Sequence, residues 1–138
     1  MGIDVVYTSN LEEVMQKIDE TARDRMFEAV NEVRNETFDT LTGPRSGRSY
    51  TVPGTKRTYT ASAPGEPPAQ RLGELRQSIT AVVEGEGKEV VGMVGTDKDY
   101  GPSLEFGTLK MAARPWLRKT FEKTEDKVKE IFTRLWFE

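Results

Sequence analysis

An apolar stripe runs without interruption over residues 11–41, in the first third of the chain. Its side chains recur at spacings of three and four residues, which is the period of one face of an α-helix. Ser9 and Glu12 have the spacing of a capping box at its start, and Gly43 followed by Pro44 predicts its end. A helix with so long and so wide an apolar face requires a large sheet beneath it or a neighbouring subunit.

Two further stretches predict the rest of the fold. A second helical stripe runs over residues 115–137, with Pro115 in its first turn. The runs SITAVVEG and EVVGMVGTD, joined by a glycine-rich turn, are typical of a β-hairpin, and short helical turns are expected around Leu75 and over residues 103–106. The run GIDVVYT near the start is also β-prone. We predict a single α+β domain over residues 1–138, with a long N-terminal helix and a C-terminal helix packed on a small antiparallel β-sheet.

The middle of the chain, residues 43–70, has almost no large aliphatic side chain. The run SYTVPGTKRTYT is typical of a hairpin with Pro53 and Gly54 at its turn. The run APGEPPA can form neither a helix nor a central strand, because each proline lacks an amide donor and has a fixed φ. We predict an extended, basic, proline-rich arm that projects from the domain. Its candidate contact residues are Arg45, Arg48, Tyr50, Lys56, Arg57, Tyr59, Pro64, Pro67 and Pro68.

Composition argues against several kinds of function. The 138 residues include no cysteine and no histidine, which removes disulfides, thiolate metal sites and the commonest general base. The run GEGKEVVG lacks the ending of a phosphate-binding loop, and Asp97 and Asp99 lack the later ligands of a calcium loop. We expect no catalysis, no cofactor and no metal. No run predicts a signal peptide or a membrane span, which favours a protein that works or is assembled in the cytoplasm.

The basic tract allows two interpretations. Arg45, Arg48, Lys56 and Arg57 are interleaved with tyrosines in a stretch without acidic residues, which is typical of a phosphate-contacting loop. The same charges are typical of a hairpin that stays soluble or docks on an acidic neighbouring subunit. The formal net charge of −3 argues against a dedicated duplex-DNA binder. A nucleic-acid-binding module that uses the basic hairpin of residues 45–57 is the alternative from another class.

Two stretches resemble one known family. ASAPGEPPAQRLGELRQSI resembles the proline-rich segment of the gene-ten-like neck and tail-completion proteins of tailed bacteriophages, of the Hong Kong 97 type. YGPSLEFGTLKMAARPWLRKTFE resembles the signature that follows this segment in the same family. The order of the elements is similar from residue 11 to the end. One departure is Leu72 before Gly73, where the family often has threonine.

The resemblance implies a structural virion protein of the neck, or of the upper end of the tail, that is assembled in the host cytoplasm and has no enzymatic activity. The implied partners are other copies in a ring, with a hexamer as one candidate size, and the head connector or stopper, the tail terminator and the tail tube. A passing contact with DNA is implied as well, and no membrane. A tail terminator that caps the tube is the alternative role in the same setting.

Two segments are expected to make the subunit or ring contacts. One is the arm, and the other is the signature loop over residues 100–114, in which we expect Glu105 to act as a cap or to pair with Arg114. The aromatic end of the C-terminal helix is expected to be buried in the domain or against another subunit. The contact candidates outside the arm are Glu105, Phe106, Arg114, Trp116 and Trp136.

Overall fold

The computed structural model describes residues 2, 9–70, 73–85 and 89–134 of the chain. The helices and strands in that part are α1 (Leu11–Thr40), β1 (Ser49–Thr51), β2 (Thr58–Thr60), α2 (Glu74–Ser78), β3 (Thr80–Glu84), β4 (Val91–Gly95), α3 (Gly101–Phe106) and α4 (Leu117–Thr133). They form an α+β arrangement with a long helix near each end, as the sequence predicts. The β-prone run at residues 3–8 and the end of the C-terminal stripe at residues 135–138 lie outside the described residues.

Helices α1 and α4 pack side by side in opposite directions. Glu36, in the later part of α1, pairs with Lys123 near the start of α4 at 3.6 Å between nitrogen and oxygen. Glu28, nearer the start of α1, pairs with Arg134 just after α4 at 2.7 Å. Because these pairs are exposed, they align the helices more than they stabilise them.

Four threonines line the contact between α1 and α4. Thr37 and Thr120 are fully buried, and Thr40 and Thr124 are nearly so. Thr37, Thr120 and Thr124 each donate to the carbonyl four residues earlier in their own helix, at 2.7, 2.7 and 2.9 Å. A hydroxyl that bonds to its own helix has a partner without help from the other helix. Thr40, the fourth threonine, accepts a hydrogen bond from the Thr120 hydroxyl across the interface at 3.3 Å. The two helices can therefore approach closely through small side chains without leaving a buried hydroxyl unsatisfied.

The strands form two separate antiparallel sheets of two strands each. Strand β1 pairs with β2, with Tyr50 opposite Tyr59, and β3 pairs with β4, with Val82 opposite Met93. The β3–β4 sheet packs on α1. The sequence predicts one small sheet beneath both long helices; in the structure α1 packs on β3 and β4, α4 packs mainly on α1, and the β1–β2 hairpin makes its main contacts within itself.

The main cluster of buried apolar side chains lies at the C-terminal end of α1. Its centre contains a leucine just after α1, two residues around α2 and one tryptophan before α4, which are Leu41, Leu75, Ile79 and Trp116. Phe38 packs against this cluster from α1. By contrast, Leu11 is 61% exposed and Met15 is 51% exposed at the other end of the helix. Among the described residues, the apolar stripe of α1 is therefore covered toward its C-terminal half, and its start is exposed.

Both long helices start differently from the sequence prediction. Asn10 occupies the N-cap position of α1 and its side chain makes no capping bond. The Ser9 hydroxyl accepts a long hydrogen bond from the N–H of Leu11 at 3.4 Å, but the reciprocal bond to Glu12 that would complete the predicted capping box is not formed. Helix α4 begins at Leu117 and not at Pro115, because Trp116 is at its N-cap position. The acceptor that caps α4 comes from another helix, since it is the carboxylate of Glu105 in α3.

The structure does not show an extended arm over residues 43–70. The β1–β2 hairpin is present, and its ladder continues to Gly47, whose N–H donates to the carbonyl of Ala61 at 2.8 Å. On either side of the hairpin, Arg45 is bonded to the end of α1 and Gly65 to the loop before α4. These hydrogen bonds fasten the proline-rich segment to the domain, so only the hairpin of residues 47–61 remains as a candidate arm.

Gly92 is placed where β4 lies against α1. A Cβ at this position would be 2.5 Å from Sδ of Met26 and 2.5 Å from Cγ1 of Val30. We expect Gly92→Ala to lower the free energy of unfolding by roughly 1–3 kcal/mol, the usual cost of overpacking, as measured by chemical denaturation. Gly95→Ala in the same strand is the control, because nothing lies within 4 Å of its Cβ position. Equal effects of the two substitutions would contradict this close packing.

Candidate functional site

The signature loop forms a tight turn after α3. The helix ends at Gly107, whose φ of 79° lies in the left-handed region that favours glycine. Thr108 and Met111 then pair through their backbones at 2.8 and 3.3 Å. Phe106 is 82% exposed, and Leu109 is fully exposed. This segment, the apolar turn of residues 106–111, presents two large apolar side chains on a hydrogen-bonded backbone.

Glu105 links α3 to the start of α4. Its Oε2 accepts hydrogen bonds from the backbone N–H groups of Trp116 at 2.8 Å and Leu117 at 2.9 Å, and its Oε1 accepts one from Arg118 at 3.1 Å. N–H groups at a helix start have no partner within the helix, and a negative charge there suits the helix dipole. Glu105 therefore caps α4, and the ion pair with Arg114 that the sequence suggests as the other option is not formed.

Trp116 is buried and not exposed to a neighbouring subunit. Its side chain is 2% exposed, and its Nε1 donates to the carbonyl of Gly101 at 3.2 Å. It belongs to the core, so it is not on the surface where the sequence analysis expects it to make a subunit contact. Trp136, the other tryptophan among the contact candidates, lies outside the described residues.

The two stretches that resemble the phage family lie in contact with each other. The N–H of Gly65 donates to the carbonyl of Ala113 at 3.1 Å, and Nζ of Lys119 donates to the carbonyl of Gly65 at 2.5 Å. Nε of Arg114 donates to the hydroxyl of Ser62 at 3.0 Å. Arg114 is thus occupied within the chain. Sequence reasoning missed Ser62 and Lys119, because no local pattern marks bonds between residues so far apart in the chain.

Arg45 fastens the start of the basic tract to the end of α1. Its guanidinium donates to the carbonyl of Thr40 at 2.7 Å and to that of Pro68 at 3.0 and 3.2 Å. Burial lowers the pKa of Arg45 from its ordinary value, and the charge of Glu66 acts in the opposite direction. The Ser46 hydroxyl, which donates to Glu66, lowers the pKa of that carboxylate. Arg45 therefore makes its contacts within the domain. Glu66, which accepts from Ser46 and acts on Arg45 through its charge, was not singled out in the sequence.

The three prolines among the predicted contacts differ in exposure. Pro64 is exposed, Pro67 is partly buried and Pro68 is buried. Pro68 also lines a groove next to Leu41 and Leu75. Of the three rings, that of Pro64 is the one most open to solvent.

The other three cations of the basic tract lie on the β1–β2 hairpin. Arg48, Lys56 and Arg57 are exposed and form no ion pair with any described residue. Tyr50 and Tyr59 lie opposite each other with their ring centroids 5.9 Å apart, and Tyr50 is 48% exposed. The basic hairpin, residues 47–61, therefore presents three cations and an aromatic pair on one small element.

Neither a metal site nor a membrane-spanning helix is evident in the part of the chain that the structure describes. No group of acidic side chains there is placed to hold a metal ion, and no helix there is long and apolar enough to cross a membrane. Two open grooves of about 610 and 360 Å³ meet at Phe121, which is 46% exposed. A braced α+β frame with an apolar turn and a basic hairpin on its surface has the features of a structural protein that acts through contacts.

Comparison with known proteins identifies the family. Residues 7–107 match the family model described as "Bacteriophage HK97-gp10, putative tail-component". Because this match spans well over half of the chain, the protein belongs to this family, and it is a structural component of the phage tail, located in the virion. The proline-rich stretch lies within the matched residues, and the signature stretch begins within them and continues past residue 107. No curated protein and no solved structure matches the chain.

Loss of the Glu105 carboxylate is expected to destabilise the domain. Glu105→Ala leaves three N–H groups at the start of α4 without their acceptor, and we expect a loss of roughly 1–3 kcal/mol in the free energy of unfolding. Glu122→Ala is the control, because it removes only an exposed ion pair with Arg118, worth about 0.5 kcal/mol. Chemical denaturation compares the two variants. A loss no larger than that of the control would refute the capping role.

Lysine substitutions at two arginines of the basic tract are expected to change the free energy of unfolding by different amounts. Arg45→Lys keeps the charge but loses the planar group that reaches Thr40 and Pro68 together, which should cost roughly 1–2 kcal/mol of stability. Arg48→Lys, on the exposed hairpin, should change the free energy of unfolding by less than about 0.5 kcal/mol. Denaturation curves of both variants measure the difference. Two variants of equal stability would mean that the Arg45 contacts are not important for the fold.

Proposed function

We propose that the protein is a subunit of the phage neck, or of the upper end of the tail, where copies of it form a ring that joins the tail to the head side without catalysis. The observation that carries this proposal is the apolar turn. Phe106 and Leu109 are exposed there at 82% and in full. The N–H of Arg114 donates to the carbonyl of Leu104 at 2.6 Å, which closes the base of the loop.

An exposed apolar pair of this kind is suited to a contact with another protein. Burial of a leucine or phenylalanine side chain contributes roughly 1.5–3 kcal/mol, and a turn that is already ordered loses little conformational freedom when it docks. The groove of about 610 Å³ beside the turn, lined in part by Phe106, Pro102 and Phe121, extends the apolar surface. Membership of a family of tail components supports another tail protein as the partner.

A tail terminator, which caps the tube and presents a surface to the head, is the alternative role in the same setting. The same apolar turn would serve either role, because both require a contact with an adjoining ring. The two roles differ in what their loss produces. Loss of a terminator gives overlong tails, whereas loss of a neck protein gives tails of normal length that fail to join heads.

Nucleic-acid binding is a second candidate function, and one observation favours it. The basic hairpin presents Arg48, Lys56 and Arg57 without an ion-pair partner among the described residues, beside the pair of Tyr50 and Tyr59. Such a site predicts DNA binding whose affinity falls steeply as salt rises. A filter-binding assay of the full chain at two salt concentrations tests it. Absence of binding at the lower concentration would reject this function.

The apolar turn is expected to be required for head–tail joining. In a phage that encodes this chain, Phe106→Ser combined with Leu109→Ser should weaken docking about a hundredfold or more, because two apolar contacts are lost. Electron micrographs should then show separate heads and tails of normal length. The unfolding of the purified variant should be unchanged, because both side chains are exposed.

Val82→Thr is the matched control for this experiment, because Val82 is an exposed apolar residue at 43% on the β3–β4 sheet, away from the turn. It should leave joining intact. Overlong tails in the double variant would favour the terminator role. Normal joining in the double variant would contradict the role of the apolar turn.

A further inference from the structure

The start of α1 presents an apolar face that the described residues leave exposed. Leu11, Val14, Met15 and Ile18 follow the spacing of one helix face and are exposed at 61, 38, 51 and 39%. We call this set the α1 stripe. The core of the domain lies at the opposite end of the helix, so the described part of the chain leaves the stripe open to solvent.

Acidic side chains surround the α1 stripe. Residues 11–24 contain five carboxylates and two cations, which gives this segment a net charge of −3. One of the cations, Arg23, donates to the carbonyl of Gly85 at 2.6 Å. Among the described residues, none of the five carboxylates forms an ion pair. The five are Glu12, Glu13, Asp19, Glu20 and Asp24.

The basic hairpin has the complementary properties. It combines an aromatic pair with three exposed cations, and no acidic residue occurs between Gly43 and Ala63. Apolar contact between the tyrosines and the α1 stripe would bring the cations close to the carboxylates that flank the stripe. Opposite charges placed in this way direct which surfaces meet and in which orientation.

The two surfaces cannot meet within one chain. Arg45 ties the root of the hairpin to the last turn of α1 through the carbonyl of Thr40. The α1 stripe is centred about 25 residues earlier on the helix, roughly 35–40 Å away at 1.5 Å per residue. Each strand side of the hairpin has about seven residues and spans roughly 23 Å at 3.3 Å per residue. The hairpin is therefore too short to reach the stripe of its own chain.

We propose that the basic hairpin of one copy docks on the α1 stripe of the next copy, and that this contact closes the ring. The contact is heterologous, because one copy contributes the hairpin and its neighbour contributes the helix, and a repeated contact of this kind generates a ring when the rotation closes. Tyr50 and Tyr59 contact Leu11, Met15 and Ile18. Arg48, Lys56 and Arg57 face the carboxylates of the neighbour. This inference rests on the ring assembly in the proposed function and names the surfaces that produce it.

Charge exchange on the full chain tests the contact. The hairpin variant carries Arg48→Glu, Lys56→Glu and Arg57→Glu, and the helix variant carries Glu12→Lys, Glu13→Lys and Glu20→Lys. All six side chains are exposed, so circular dichroism and thermal unfolding should match the wild type. Sedimentation over a range of concentrations measures association. We expect each variant alone to have an apparent Kd raised about a hundredfold or more, because like charges then face each other.

Two samples restore the charge complementarity and serve as controls. An equal mixture of the two variants should assemble again, since the reversed hairpin of one meets the reversed helix of the other. A chain with all six substitutions has the net charge of the wild type and should assemble alone. Association of the wild type should weaken with salt. An assembly that stops at two copies would indicate a two-fold contact and overturn the head-to-tail arrangement.

The remaining outcomes separate this contact from the wider proposal. If the hairpin variant alone still forms the wild-type assembly, the contact is wrong while ring assembly stands. If the wild type stays monomeric at low salt, ring assembly itself fails and the contact with it. If the chain with all six substitutions stays monomeric and has lost a DNA affinity that the wild type shows, the hairpin binds nucleic acid and the proposed contact is overturned.

Discussion

The pairing of α1 with α4 is the contact on which the rest of the structure depends. Thr37, Thr120 and Thr124 satisfy their hydroxyls on their own helices, so the two helices meet through small, buried side chains. Nearer its middle, α1 supports the β3–β4 sheet at Met26 and Val30, through the close approach at Gly92. The C-terminal part of α1 therefore organises the domain, while the apolar side chains at its start stay exposed among the described residues.

The elements of the fold could be predicted from the sequence because their signals are local. The spacing of apolar residues in α1, and the two valine-containing runs that a glycine-rich turn joins into the β3–β4 hairpin, depend only on neighbours along the chain. The helix caps are harder to predict from the sequence, because the acceptor for the start of α4 is Glu105 on another helix. Of the box expected at Ser9, the structure keeps one long bond from the N–H of Leu11 to the Ser9 hydroxyl, while Asn10 takes the N-cap position.

The residues of the candidate site could also be predicted only in part from local patterns. Arg45 and Arg48 look alike in the sequence, yet one is bonded to two carbonyls inside the domain and the other is exposed. Trp116 looks like an interface aromatic but lies in the core, whereas Leu109, which the sequence analysis did not single out, is fully exposed. Burial depends on how distant segments pack, and the local pattern around a residue does not reveal it. Phe106 was found because it belongs to a recognisable signature.

The length of α1 sets the distance between the two surfaces of the proposed ring contact. Its 30 residues span about 45 Å, and the hairpin is tied to its end. In a closed ring, the angle between successive copies must divide a full circle into equal parts. An insertion of one helical turn, about 5.4 Å, would alter that geometry and either change the number of copies or open the circle into a helical filament. The diameter of such a ring would then be determined largely by one helix.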